Sequence, residues 1–210
     1  MAEAMDGTFK DLMESILEGD VQRAESLIDQ LQRSGCDPMQ IVTDAIKPAM
    51  EELGRRFERG EVFLPTIISA SMLFTDFNKN AAASEYLSDA PTIIMGTVST
   101  DIHEIGKNIC ASMARIRGYN VMDLGCDVPS EKFISQAVKH GSGTVAVSST
   151  MKSSLKYQQE IVELAAAWDL SVLVGGASCS PEWCGRIGAA GYSRDCVEFV
   201  QVLDELHDQS

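Results

Sequence analysis

Long apolar runs are missing from this chain. No stretch approaches the roughly 20 residues of a membrane-spanning helix, and Met1-Ala2-Glu3-Ala4-Met5-Asp6 has no basic region leading into an apolar one. The expectation is a cytoplasmic protein with no membrane partner. Positive charge is scarce as well: 17 Lys+Arg face 31 Asp+Glu, a formal net charge of -14. That balance repels phosphate backbones and argues against a nucleic-acid partner. The six cysteines, Cys36, Cys110, Cys126, Cys179, Cys184 and Cys196, are scattered, and no CxxC pair occurs. Neither a disulfide framework nor a structural zinc site has support.

What is present falls into two halves with different periods. A hydrophobic share of 45% over 210 residues suffices for one large domain or two small ones. Over residues 20–87 apolar side chains recur at helical spacing, as in Val21, Ala24, Ile28 and Leu31, and again in Val42, Ile46, Met50, Leu53 and Phe57. Asp20 can cap a helix that stops near Gly35, and Asp37 followed by Pro38 is a cap with proline at the first helical position. A third long helix is predicted from Pro65 and a shorter one before Gly19. Helices joined by such short loops predict a bundle over residues 1–88.

Ser88-Asp89-Ala90-Pro91 reads as a linker, and after it the period changes. Residues 92–98, 121–124, 144–147 and 171–174 are short continuous apolar runs, separated by amphipathic stretches such as residues 131–140 and 155–168. This alternation predicts an α/β domain over residues 89–210: a doubly wound parallel sheet of Rossmann or flavodoxin-like kind, covered by helices on both faces. A last helix is predicted at about residues 195–207. Ligands of such sheets bind beyond the carboxyl ends of the strands.

Three strand ends carry polar or small residues. After the first run, Asp101-Ile102-His103-Glu104-Ile105-Gly106 places a carboxylate and an imidazole two residues apart on a loop. Asp101 could fix one ring nitrogen of His103 and leave the other as a metal ligand, or it could simply cap the next helix. Gly106 would let a bulky ligand approach the backbone. A dinucleotide fingerprint lacks its glycines here, a P-loop lacks its Ser/Thr, and a zinc-protease helix would need histidine where Lys107 stands. The third run ends in Ser148-Ser149-Thr150-Met151-Lys152-Ser153-Ser154, hydroxyls for a ligand or a helix cap. The fourth ends in Gly175-Gly176-Ala177-Ser178, a turn or a space cleared for a flat ligand.

Taken together, Asp101-x-His103-x-x-Gly106, the serine-rich end from Ser148, the Gly175-Gly176 pair and the stretch Arg56-Phe57-Glu58-Arg59-Gly60-Glu61-Val62-Phe63-Leu64-Pro65 carry a family signal. From about Leu17 to Leu206 the chain resembles the cobalamin-binding module of methionine synthase and the corrinoid proteins of multi-component methyltransferase systems. The resemblance implies a cobalamin or related corrinoid bound base-off, with His103 as the cobalt ligand and Asp101 and Ser154 behind it. It further implies contacts to the cofactor's detached tail from Gly106, Ser148, Thr150, Gly175, Gly176, Tyr192 and Asp195. The helical half resembles the cap over the reactive face, with Phe57 and Leu64 at shielding positions or as ordinary bundle core. Thr100 departs from the glycine the family places before the motif aspartate, and Thr150 from an apolar residue.

The function implied is a carrier, not catalytic alone, that takes a methyl group onto Co(I) from a substrate-specific methyltransferase. A second methyltransferase would remove it from methyl-Co(III) to tetrahydrofolate or a coenzyme thiol, and a reductive activase would be a further partner. Rival expectations are a B12-dependent sensor, although no basic DNA-binding module is evident, and the detached cofactor domain of a mutase. A flavodoxin-like phosphoacceptor would need carboxylates around Asp101, where only Glu104 is near.

Overall fold

The structure is a computed structural model and describes residues 2–80 and 90–208. The helical pattern expected up to Leu87 therefore ends, and the expected linker begins, outside the described residues: Ser88 and Asp89 are not among them. The chain forms two compact units, one built from the N-terminal part up to Ala90 with Arg115–Gly118, the other from Pro91–Ala114 and Tyr119–Ser210.

The first unit is helical: α1 (Ala2–Glu18), α2 (Val21–Arg33), α3 (Pro38–Ile41), α4 (Lys47–Glu58) and α5 (Leu64–Asn80). Asp20 caps α2 by accepting from the Arg23 N–H at 3.0 Å, and Asp37 caps α3 through the Met39 N–H at 3.0 Å. Between α3 and α4 the chain does not run on as a plain α-helix. Val42–Ile46 is a π-helical turn, and Pro48 follows within the first turn of α4. Proline has no N–H to give, and a widened turn ahead of it absorbs the missing bond. The core takes Leu12, Ile28, Leu31, Ile41, Leu53 and Ile67, all buried. Charge stays outside: Glu52 meets Arg55 at 3.0 Å and Arg56 at 2.9 Å, and Arg59 meets Glu61 at 2.7 Å.

The second unit is a five-stranded sheet with order β2-β1-β3-β4-β5. Its strands are β1 (Thr92–Thr97), β2 (Asn120–Asp123), β3 (Thr144–Ser148), β4 (Ser171–Gly175) and β5 (Gly191–Ser193), and every pairing is parallel. The helices are α6 (Ile105–Ile116), α7 (Ser130–His140), α8 (Leu155–Ala165), α9 (Pro181–Ile187) and α10 (Cys196–Asp208). Ile94, Val145, Val147, Val172 and Val174 are all but inaccessible, which explains why their strands read as unbroken apolar runs. The ring of Phe133 from α7 rests against Gly96 of β1, where a Cβ would lie 2.7 Å from Phe133 Cε1. Strand β5 and helix α9 were not expected from the sequence. The chain steps from β1 to one side and then to β3 on the other, so the crevice of the sheet opens where β1 and β3 end.

Candidate cofactor site at the ends of β1 and β3

Asp101 is the centre of this region. It follows β1 on the loop before α6 and has no solvent exposure. A carboxylate in such a place is tolerated only when its lone pairs are engaged. Oδ1 accepts from the His103 backbone N–H at 3.1 Å and lies 2.8 Å from His103 Nδ1. Oδ2 accepts from the backbone N–H groups of Thr150 at 2.6 Å and Met151 at 3.1 Å, and from Ser154 Oγ at 3.2 Å. Burial pushes the carboxyl pKa up, but the His103 ring and the N–H groups of His103, Thr150 and Met151 outweigh it and bring it down to about 2. Asp101 is thus an anion at neutral pH. The proton between it and the ring belongs on Nδ1, which leaves the Nε2 lone pair for a ligand. The His103 side chain is 56% exposed, so that nitrogen is reachable.

A second hydroxyl lies behind the first. Ser149 and Ser154 are both fully buried, with their Oγ atoms 2.8 Å apart, and Met151 O accepts from Ser154 at 2.7 Å and from Ser149 at 3.1 Å. Of this run the sequence and its family resemblance point to Ser148, Thr150 and Ser154, and not to Ser149. Ser148 is half-buried at the last position of β3, and Thr150 serves Asp101 through its backbone N–H. In a stretch where every candidate is a hydroxyl, composition carries no signal for which one turns inward.

The glycine pair plays a different part from a space cleared for a ligand. Gly176 has φ +105, and a Cβ there would lie 2.2 Å from Ser149 O; a Cβ on Gly175 would meet Ser193 O at 3.2 Å. The room left by both side chains is taken by the ends of β3 and β5. Gly106, in contrast, has nothing within 4 Å of its Cβ position. Gln158 of α8 ties the same strand ends together, donating from Nε2 to Val147 O and Gly175 O, each at 3.1 Å, and accepting the Trp183 indole N–H at 2.9 Å.

The remaining expected residues belong to other elements. Tyr192 is on β5 and packs partly against the sheet core. Asp195 caps α10, with Oδ1 accepting from the N–H groups of Val197 at 3.1 Å and Glu198 at 3.0 Å. Phe57 and Leu64 are half-buried in the helical unit, at the end of α4 and the start of α5.

Two further features bear on what can bind. Ile102 and Ile105, on either side of His103 in sequence, are 72% and 79% exposed. Large aliphatic side chains held in water, one on the loop and one at the first position of α6, suit an apolar ligand surface. Among the described residues no group of three or more His, Cys, Asp or Glu could hold a metal ion. One accessible imidazole with apolar neighbours therefore suits a metal that brings its own equatorial ligands, as a tetrapyrrole-like macrocycle does. The residues present fit such a group.

Comparison with known proteins agrees. The B12 binding domain family matches residues 91–200, and a second B12 binding domain model matches residues 8–75. A dimethylamine corrinoid protein of Methanosarcina barkeri is 33% identical over 181 residues, covering 81% of this chain and 84% of its own. A trimethylamine corrinoid protein of the same organism is 30% identical over 199 residues, covering 89% and 90%. In fold, the chain matches a chain of the methanol:cobalamin methyltransferase complex MtaBC from Methanosarcina barkeri with TM-score 0.84 at 21% identity, covering 98% of this chain and 81% of that one. Fold and site together define a B12-binding α/β protein with a helical N-terminal unit. Within that class the chain belongs to the corrinoid proteins of methyltransferase systems, and its cofactor is cobalamin or a related corrinoid.

Proposed function

We propose that the protein accepts a methyl group from a substrate-specific methyltransferase and delivers it to a second methyltransferase, with tetrahydrofolate or a coenzyme thiol as the final acceptor. When bound, the corrinoid supplies the metal that takes up and releases the methyl group. The protein's own residues do the rest. His103 Nε2 is the ligand, and Asp101 holds the ring through Nδ1, fixing both its orientation and its tautomer. The hydroxyls of Ser154 and Ser149 complete the shell around Asp101. Ile102 and Ile105 supply apolar surface beside the ligand, and Gly106 leaves the backbone open to a bulky group.

The tail of the cofactor is assigned to Ser148, Thr150, Gly175, Gly176, Tyr192 and Asp195. For Gly175 and Gly176 the contact is through backbone atoms, since the space of their side chains is occupied. Phe57 and Leu64 are assigned to shielding of the reactive face, the helical half over residues 1–88 acting as cap and residues 89–210 as carrier domain. A reductive activase that restores the reduced metal is a further partner, and the cytoplasm is the compartment in which these partners meet.

The observation that carries this proposal is the pairing of a fully buried, ionised Asp101 with an accessible His103 at 2.8 Å. It is tested by reconstituting wild-type protein and His103→Ala with methylcobalamin and recording visible spectra. Wild type is expected to bind with the signature of a histidine-ligated metal, and His103→Ala to lose that signature. A wild type that takes up no corrinoid, or a signature that survives the substitution, defeats the assignment.

A further inference from the structure

Two residues near the motif adopt left-handed backbone conformations without being glycine: Thr100 at φ 66 and Asp127 at φ 53. For a β-branched residue such as Thr100 this conformation is costly, and something must hold it. Asp127 does so. Its Oδ1 accepts from the Thr100 N–H at 2.7 Å, and its own N–H donates to Asp101 O at 3.0 Å. The peptide units on either side of the Thr100–Asp101 bond are therefore gripped by one residue, one through its side chain and the other through its main chain.

The surrounding loop does not depend on that grip. Val128 N donates to Thr97 O at 3.0 Å, Thr97 N to Gly125 O at 2.9 Å, and Ser99 Oγ to Val128 O at 3.1 Å. These bonds zip the segment after β2 to the end of β1 with no help from the Asp127 carboxylate. Among the described residues the Asp127 carboxylate bonds to the Thr100 amide, one residue before Asp101.

We propose that Asp127 is a positioning residue for the metal ligand: by holding the Thr100 N–H and the Asp101 C=O, on either side of the bond that joins these residues, it sets where the Asp101 carboxylate, and through it the His103 ring, comes to rest. This rests on the assignment of His103 as ligand, and the geometry makes the two separable. Charge is not what the clamp requires, only an acceptor on a residue at ease in the left-handed region, and asparagine meets both needs. Glycine keeps the backbone conformation and the Asp127 N–H bond but loses the acceptor.

The test compares wild type, Asp127→Asn and Asp127→Gly by melting temperature, by amide hydrogen exchange at Thr100 in the cofactor-free protein, and by spectral titration with methylcobalamin. Both replacements suit the backbone, so both are expected to melt near wild type. Asp127→Asn should retain Thr100 protection and bind within about twofold of wild type. Asp127→Gly should lose Thr100 protection, weaken binding about tenfold and show a reduced signature of a histidine-ligated metal, the scale on which supporting partners of metal ligands act. Wild-type affinity and signature in Asp127→Gly overturn the proposal, as does unchanged protection of the Thr100 amide. If wild type itself binds no corrinoid, the ligand assignment falls, while the exchange data still decide whether the clamp exists.

Discussion

The two units treat polarity in opposite ways. Among the described residues, all the fully or nearly buried polar ones but Ser15 and Ser71 belong to the sheet unit, and Ser15 returns a bond to Leu12 O one turn back. The helical unit keeps its ion pairs, such as Glu52 with Arg55 and Arg56, on the surface. The sheet unit instead sinks Asp101, Ser149, Ser154, Gln158 and Lys107 into its interior, the last paired with Asp123 at 2.5 Å. Burying polar groups stabilises a fold little, and each must be fully partnered to be tolerated. Where a protein concentrates such groups, position is being specified more than stability.

Three measurements can break or sharpen this contrast. The largest effect is expected at the β4 end, where Gly176→Ala forces a Cβ to within 2.2 Å of Ser149 O at φ +105. Denaturant unfolding should register a loss of about 3 kcal/mol or more, and the same substitution at Gly106, which is open, should register almost none. A loss at Gly106 equal to that at Gly176 would contradict the close approach described for β3 and β4.

The next effect concerns acid. Asp101 sits at about 2 against an ordinary 3.8, so its folded-state pKa is depressed. The stability it contributes is present above about pH 4 and is lost as pH falls towards 2. The difference corresponds to about 2 kcal/mol. Compared across that window, wild type should lose stability more steeply than Asp101→Asn, and parallel curves would show that the buried anion has no such role.

The smallest effect belongs to the helical surface. Glu52→Gln removes the partly exposed ion pairs with Arg55, Arg56 and Arg59 and should leave the melting temperature unchanged within error, because solvent screens such pairs. A clear fall would mean that the helical unit also relies on its polar contacts.

Much of the fold was legible because it was written in periodicity. The runs around Ile94, Val145 and Val172 are apolar on both faces because both faces are covered, and the caps Asp20 and Asp37 act as their positions in the sequence imply. Strand β5 escaped because three residues, two of them half-buried, make no apolar run. Helix α9 was marked by Ser180, which accepts from the Trp183 N–H at 3.2 Å, followed by Pro181, but seven residues are too few to declare a period. In the site, Asp101 and His103 were legible as a spaced pair and Ser154 through the family resemblance, whereas Ser149 is one of several adjacent hydroxyls and Asp127 meets Thr100 across 27 positions of the chain. Thr100 stood out only as a departure from glycine. Its φ of 66 gives that departure a physical meaning, since the position asks for the conformation glycine adopts freely.

Gln158 has one more consequence. Because its amide joins Val147 O and Gly175 O and its oxygen receives the Trp183 indole, the spacing of the strand ends is coupled to a fluorophore. The chain's other tryptophan, Trp168, is 56% exposed, so its emission reports mainly solvent. Replacing Trp168 by phenylalanine would leave Trp183 as a single built-in optical gauge of the crevice, readable without any label.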